Sequence, residues 1–252
     1  MSKLNQFRHA VLACAGDCQH PRLRMASEGA YCVYYAPFDH VNAAARVVLV
    51  GITPGKTQAS NALTEAARLL QAGASAEDAV KGAKRVAAFS GPLRTNLVAM
   101  LDHVGLHHRL GLRSCDALFG SGCELVQTTS VLPFPVFANG ENYGGAPHPL
   151  AVGVLERQVH EHFVPLARQL SRAVFVPLGP VPTKVLETLA AEGHLDARRV
   201  LTGLPHPSGA NGERIAYFLG KKGRGDLSAK MDPAKIDRAR EVATRQVAAL
   251  TF

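Results

Sequence analysis

The stretch Arg46-Val47-Val48-Leu49-Val50-Gly51-Ile52 constrains this chain more than any other. It is short, rich in β-branched residues, and offers no polar side chain between Arg46 and Thr53. Both of its faces are apolar, so it fits a strand covered on two sides rather than one with a wet face. Alanines precede it, and Thr53-Pro54-Gly55 ends it. Further strand candidates run over 124–132 (ELVQTTSVL), 173–177 (AVFVP) and, shorter, 199–202. Helical patterns fall between and around them, over 3–14, about 60–73, 76–87, 92–104, 150–170 and 182–192. One more helix starts near Asn211 (NGERIAYFL), and the last covers about 232–250.

Strands alternating with helices predict an α/β fold with a mostly parallel sheet of four strands covered on both faces. No internal repeat or low-complexity tract interrupts the pattern. One domain over 1–252 is expected, with a helical extension over 1–45 and a closing helix over about 232–250. In such sheets, ligands bind beyond the carboxyl ends of the strands. Two of those ends carry unusual loops: Thr53-Pro54-Gly55-Lys56-Thr57, and Pro205-His206-Pro207-Ser208-Gly209.

Composition narrows the partners. A chain of 252 residues with 47% hydrophobic and 19% charged residues can bury a full core. Its net charge of +8 favours a polyanion, because each neutralised phosphate releases counterions. No apolar run reaches the roughly 20 residues of a membrane span. The polar stretch 1–8 is not followed by a signal-peptide core, so a cytoplasmic protein is expected; it is expected to be a monomer. Five cysteines (Cys14, Cys18, Cys32, Cys115, Cys123), odd in number and uneven in spacing, argue against a disulfide framework.

The first loop invites a nucleotide-binding reading, since Gly55-Lys56-Thr57 matches the end of a P-loop. The spacing does not. A P-loop places four residues before its Gly-Lys pair so that successive N–H groups wrap a phosphate. Gly51 and Gly55 enclose three, and Pro54 has no N–H. The alternatives are a plain strand-to-helix turn or a rigid loop pressed against a sugar–phosphate chain. In the second loop, two prolines hold His206 in extended backbone. A rigid imidazole suits donation to charge that appears only in a transition state. Ser208 offers a hydroxyl and an N–H to a phosphate, and Asn211 an N-cap to the helix that follows. A surface turn with an incidental histidine is the plainer reading of the same residues.

Taken together, RVVLVGITPG and GLPHPSGAN resemble the two active-site motifs of the uracil-DNA glycosylase superfamily. Between them, AAFSGPLRTNLVAMLDHVGL, ELVQTTSVLPFP and VFVPLGPVPTKVL are similar to the family's intervening segments, in order, across about 46–220. The resemblance implies a three-layer αβα sandwich that binds double- or single-stranded DNA. It also implies an enzyme that flips a nucleotide out and hydrolyses its N-glycosidic bond. His206 then matches the histidine that hydrogen-bonds the departing base, and Thr53 falls where the family positions water. Gly51, Ile52, Phe89, Thr129 and Ser130 would line the base pocket; Phe89 reads equally as a core residue. Pro54, Gly55, Lys56, Pro207, Ser208, Asn211, Lys221, Lys222 and Arg224 would meet DNA. The loop bearing the last three basic residues reads equally as a solubilising one.

Departures from the family carry information. A threonine hydroxyl can hold a water but cannot deprotonate it. Thr129 or Ser130 stands where uracil-specific members commonly carry asparagine, so a base other than uracil is expected. The same departures support a second reading, a non-catalytic DNA-binding or base-sensing member. Some relatives hold an iron–sulfur cluster on four cysteines. Here LPFP occupies the place of the fourth, and no cofactor or metal is expected. His160-Glu161-His162 lies two apart along a helix, which does not bring the side chains to one face. It reads as solvated surface, as do His107, His108 and His148. The glycine-rich segment 139–145 reads as flexible and near a strand end.

Overall fold

The computed structural model describes residues 3–13, 16–87 and 91–252. It is an α/β fold. The strands are β1 (Arg24–Glu28), β2 (Tyr31–Tyr34), β3 (Val47–Gly51), β4 (Val126–Ser130), β5 (Val136–Ala138), β6 (Glu141–Asn142) and β7 (Val174–Pro177). The helices are α1 (Lys3–Ala13), α2 (Lys56–Gln71), α3 (Ala76–Ala87), α4 (Gly91–His103) and α5 (Leu106–Arg109) in the first half. The second half adds α6 (Gly153–Gln158), α7 (Val164–Gln169), α8 (Pro180–Ala191), α9 (Gly212–Phe218) and α10 (Pro233–Ala248). The chain divides into two compact units, each assembled from three segments. One comprises 1–41, 51–88 and 129–167; the other 42–50, 89–128 and 168–252.

The second unit holds the parallel sheet, in the order β4-β3-β7. Strand β3 pairs in parallel with β7, Val47 opposite Val174 and Leu49 opposite Val176. Val47, Val48, Leu49 and Val50 are all fully buried, which is the two-sided burial that their β-branched run predicts. On one side, Val47, Leu49, Val174 and Val176 share a core with Leu97 of α4 and Phe218 of α9. Asp232 caps α10 by accepting from the Lys235 N–H, and Pro233 starts that helix where no amide partner is needed.

The expected fourth strand over 199–202 is not there. Only one parallel bridge forms, Phe175 to Val200, and the Leu201 N–H donates to the Phe175 carbonyl. The physical reason lies on either side of it. A 3-10 turn, Ala197–Arg199, runs into Val200, and Gly203 bends the chain away with φ +94°. A Cβ on Gly203 would meet the Ala239 carbonyl of α10 at 2.8 Å, and Gln246 of the same helix donates to the Val200 carbonyl. The helix takes the contacts that a longer strand would have made. Among the described residues the sheet therefore has three strands, not four.

The first unit contains a separate antiparallel sheet, β1-β2-β5-β6, that corrects the expectation of a merely helical extension over 1–45. Cys32 faces Phe137 and Val33 faces Val136 across β2 and β5. The segment 139–145, expected to be flexible, begins as the tight turn between β5 and β6. Asn139 (φ +50°) and Gly140 (φ +82°) form it, the left-handed pair that matches strand twist in a hairpin. Helix α2 buries Ala59, Ala62, Leu63, Ala66 and Leu70, a stripe at helical spacing, and packs against α3. The long helix expected over 150–170 is interrupted: α6 and α7 are joined by a π-helical turn, Val159–Phe163.

Candidate functional site

His206 stands on the second unit between two buried prolines, Pro205 and Pro207, and is itself half-buried. Its Nδ1 accepts the backbone N–H of Ser208 at 3.2 Å. A neutral imidazole with Nδ1 as acceptor carries its proton on Nε2, so the ring presents a donor there. Burial holds its pKa below the ordinary imidazole value, which keeps it neutral at pH 7. The ring lies against the backbone at the start of α8: a Cβ on Gly179 would come within 3.0 Å of its Cδ2. Gly179 has φ +99°, a conformation essentially confined to glycine. From the other side, Asn96 of α4 donates to the Pro207 carbonyl at 3.0 Å. The loop is thus fixed by α4, by the turn before α8 and by its own Ser208.

The neighbours of His206 have roles other than those expected. Ser208 gives its N–H to His206, and its hydroxyl accepts from the Asn211 amide at 3.2 Å. Asn211 occupies the N-cap position of α9 without a capping hydrogen bond; its side chain serves Ser208 and accepts from Arg214. Of the basic loop beyond α9, Lys221 and Arg224 are exposed. Lys222 is spent on Glu213, at 2.7 Å. Glu213 also accepts from the Ser228 N–H and hydroxyl, and this donor set pulls its pKa down to about 2.

On the first unit, the loop after β3 is held by its own hydrogen bonds. The Thr53 hydroxyl donates to the Phe134 carbonyl and accepts from the Val136 N–H, each at 3.1 Å. Both exchanges are with backbone, so the hydroxyl stitches the loop to the segment that runs into β5 and to the first residue of that strand. The Gly55 N–H donates to Gln58, and the Lys56 N–H donates to Asn142 of β6 at 2.8 Å. These are amides that a P-loop would turn toward phosphate, and here side chains occupy them. Pro54 is buried, and the Lys56 side chain is exposed. Gly51 and Ile52 continue the pairing of β3, accepting from the N–H groups of Val131 and Leu132. Ser130 is buried beside Gly51, where an added Cβ would sit 3.4 Å from its hydroxyl, and Thr129 is half-buried. Phe89 and Cys14 lie outside the described residues.

Four residues that were not expected to hold these loops do so. They are Gly179 and Asn96 around His206, Asn142 at the start of α2, and Gln158, whose Oε1 accepts the Phe134 N–H at 2.7 Å. Asn139-Gly140 was the available signal for Asn142, since it is a hairpin dipeptide. The others act through tertiary contact and leave no local pattern. His162 also differs from a purely solvated surface residue. It is half-buried, edge-on to Phe134 with ring centroids 5.0 Å apart, and burial lowers its pKa. Cys18 and Cys115 are buried, and burial pushes the Cys115 thiol well above its ordinary range. Among the described residues no group of three or more His, Cys, Asp or Glu side chains is placed to hold a metal ion. Nor is any described helix long and apolar enough to cross a membrane.

Comparison with known proteins identifies a relative in Bacillus subtilis (strain 168), "Uncharacterized protein YoxB". It is 36% identical over 221 residues, which cover 86% of this chain and 86% of that protein. No protein-family model matches the chain, and no solved structure matches it.

Proposed function

The chain belongs to the same family as Bacillus subtilis YoxB, and we propose that it is a DNA glycosylase that releases a damaged or modified base. One observation carries this reading: a neutral imidazole whose proton is directed to Nε2 by the Ser208 N–H on Nδ1. When an N-glycosidic bond breaks, negative charge gathers on the departing base and positive charge on the sugar. A fixed, uncharged N–H donor stabilises that developing anion without first having to be reoriented. The net charge of +8 supports a polyanionic substrate, and the resemblance of both loops to glycosylase motifs supports the base as the target.

The first loop has a different part in this reading. Thr53 is no base: its hydroxyl is held between two backbone groups. Its contribution is a rigid backbone placed against the sugar–phosphate chain. Hydrolysis then leans on His206, on the DNA phosphates facing the sugar cation, and on exclusion of bulk water. Thr129 and Ser130 offer short hydroxyls where an amide would pair with uracil, so the reading favours another base. Finer features belong to the same proposal: a three-layer sandwich, a monomer and a cytoplasmic location.

The test is mass spectrometry of bases released from DNAs of varied modification, including heavily modified phage DNA, by wild type and His206→Ala. Release by wild type that disappears in the variant, with DNA binding little changed, supports the enzyme. The Thr53 geometry favours a second reading, a non-catalytic member that binds DNA or senses a base. Binding that falls in His206→Ala, with no abasic site from any substrate, would select it.

A further inference from the structure

The first loop is held at Phe134, and Phe134 is held by a helix. The Phe134 carbonyl accepts from the Thr53 hydroxyl at 3.1 Å, and its N–H donates to Gln158 Oε1 at 2.7 Å. The two polar ends of one buried residue are thus bonded in opposite directions, one to the loop after β3 and one to the last residue of α6. Gln158 is 4% exposed, and its Nε2 has no hydrogen-bond partner among the described residues. A leucine would fill such a site without leaving a buried donor unpaired, so packing does not account for the amide. The Oε1 bond to Phe134 does. A second observation lies in the same helix. Directly after Gln158 the chain takes a π-helical turn, Val159–Phe163, closed by the Val164 N–H on the Val159 carbonyl. Such turns are rare and persist where tertiary contacts over-determine them. Here Gln158 precedes the turn on the Phe134 backbone, while His162 within it packs edge-on against the Phe134 ring.

We propose that Gln158 is the positioning residue of the Thr53 loop. The relay runs from Gln158 Oε1 through the Phe134 backbone to the Thr53 hydroxyl, and on to the Val136 N–H that the hydroxyl accepts. Gln158 touches no substrate and acts only through Phe134. The π-helical turn keeps it there by anchoring the Phe134 ring through His162. Its catalytic consequence rests on the glycosylase reading; its structural consequence does not.

Two variants separate acceptor from bulk. Gln158→Leu keeps the apolar stem and removes Oε1. Gln158→Glu, held protonated by burial, keeps an oxygen for the Phe134 N–H. Amide hydrogen exchange is read first at Val136, the third hydrogen bond along the relay from Gln158. Exchange at Val136 should rise about tenfold or more in Gln158→Leu and stay near wild type in Gln158→Glu. Unchanged exchange in Gln158→Leu, or an equal rise in both variants, overturns the proposal. On whichever modified DNA the wild type acts, Gln158→Leu should lower kcat about a hundredfold with little change in KM, and Gln158→Glu should restore it. A matched rise in KM, or no rescue, also counts against it. If the wild type releases no base from any DNA, the glycosylase reading fails alone, and the Val136 exchange still decides the positioning role.

Discussion

The Ser208 N–H donates to Nδ1 of His206 at 3.2 Å, and this one bond settles which ring nitrogen carries the proton. Nδ1 can accept the Ser208 N–H only while the ring stays neutral, so protonation there would break the bond that fixes the aim of Nε2. Burial lowers its pKa below the ordinary value of 6.5. Base release should therefore hold at pH 7 and fall to half of its plateau only below pH 6.5. His206→Ala should cost about a hundredfold or more in kcat, the scale of removing one donor to a developing anion. A profile that already halves at pH 7, or a His206→Ala variant with near wild-type turnover, would contradict the assignment.

Gly179→Ala tests the support beneath that ring. The new methyl would lie 3.0 Å from Cδ2 and 3.3 Å from Cβ of His206, at a backbone φ of +99°. Strain of this kind costs about 1–3 kcal/mol. Relief by moving the imidazole would also spoil its aim. The expected result is a lower urea midpoint with a fall in kcat comparable to that of His206→Ala. Loss of stability with undiminished turnover would show that the ring needs no such seat.

Thr53 can be separated into hydroxyl and methyl. Thr53→Val leaves the Phe134 carbonyl and the Val136 N–H without the hydroxyl that serves both. Two unmet backbone groups at a buried segment cost about 2–6 kcal/mol. Thr53→Ser keeps both bonds and should fold within about 0.5 kcal/mol of wild type, with most of its activity. Equal destabilisation of both variants, measured by denaturant titration, would mean that the methyl and not the hydroxyl matters.

How much of this was legible in the sequence follows from how local each cause is. Strands β3 and β7 and helices α3, α8 and α10 were readable because apolar runs, periodicity and caps sit within the segments themselves. The pair β1 and β2 was not. Its strands are short, β1 is mostly exposed, and β2 finds its second partner in β5, more than a hundred residues away. The stretch 199–202 shows the opposite error: strand-like residues whose pairing was pre-empted by Gln246 and the bend at Gly203. At the site, His206 was visible because prolines flank it. Its tautomer, its seat on Gly179 and the commitment of the Thr53 hydroxyl depend on tertiary contacts. Gln158 lay inside an ordinary helical pattern, and nothing in its neighbourhood announced the bond to Phe134.

The basic loop after α9 gives a sharper expectation than its composition. Lys222 is paired with Glu213 at 2.7 Å, while Lys221 and Arg224 are exposed. If this loop meets DNA, Lys221→Ala and Arg224→Ala should each lower the salt slope of binding by about one ion. Lys222→Ala should lower it less and instead let the Glu213 carboxyl rise from about 2 toward ordinary values. Fluorescence anisotropy over a salt series reads the first effect, and carboxyl NMR titration the second. Equal slopes for all three variants would remove the distinction.

Lys84 supplies a signature that does not depend on any activity. It is 8% exposed, and its ammonium donates to the carbonyls of His40 at 2.7 Å and Phe38 at 3.3 Å. Burial drives its pKa from 10.5 down to about 7, against the opposing pull of Asp39. In the unfolded chain the amine keeps its proton to about 10.5; in the folded chain it releases it near 7. Between these values the unfolded state binds more protons, so this group makes stability rise with pH, by up to about 1.4 kcal/mol per pH unit. Below pH 7 both states are protonated and the cost of burying the charge is fully present. Lys84→Met removes the titration, while leaving the Phe38 and His40 carbonyls without this donor. Urea midpoints at pH 6, 7, 8 and 9 should therefore climb more steeply above pH 7 in wild type than in Lys84→Met. The two curves should run parallel below it. Parallel curves across the whole range would mean that Lys84 stays charged in the fold, satisfied by its two carbonyls and Asp39.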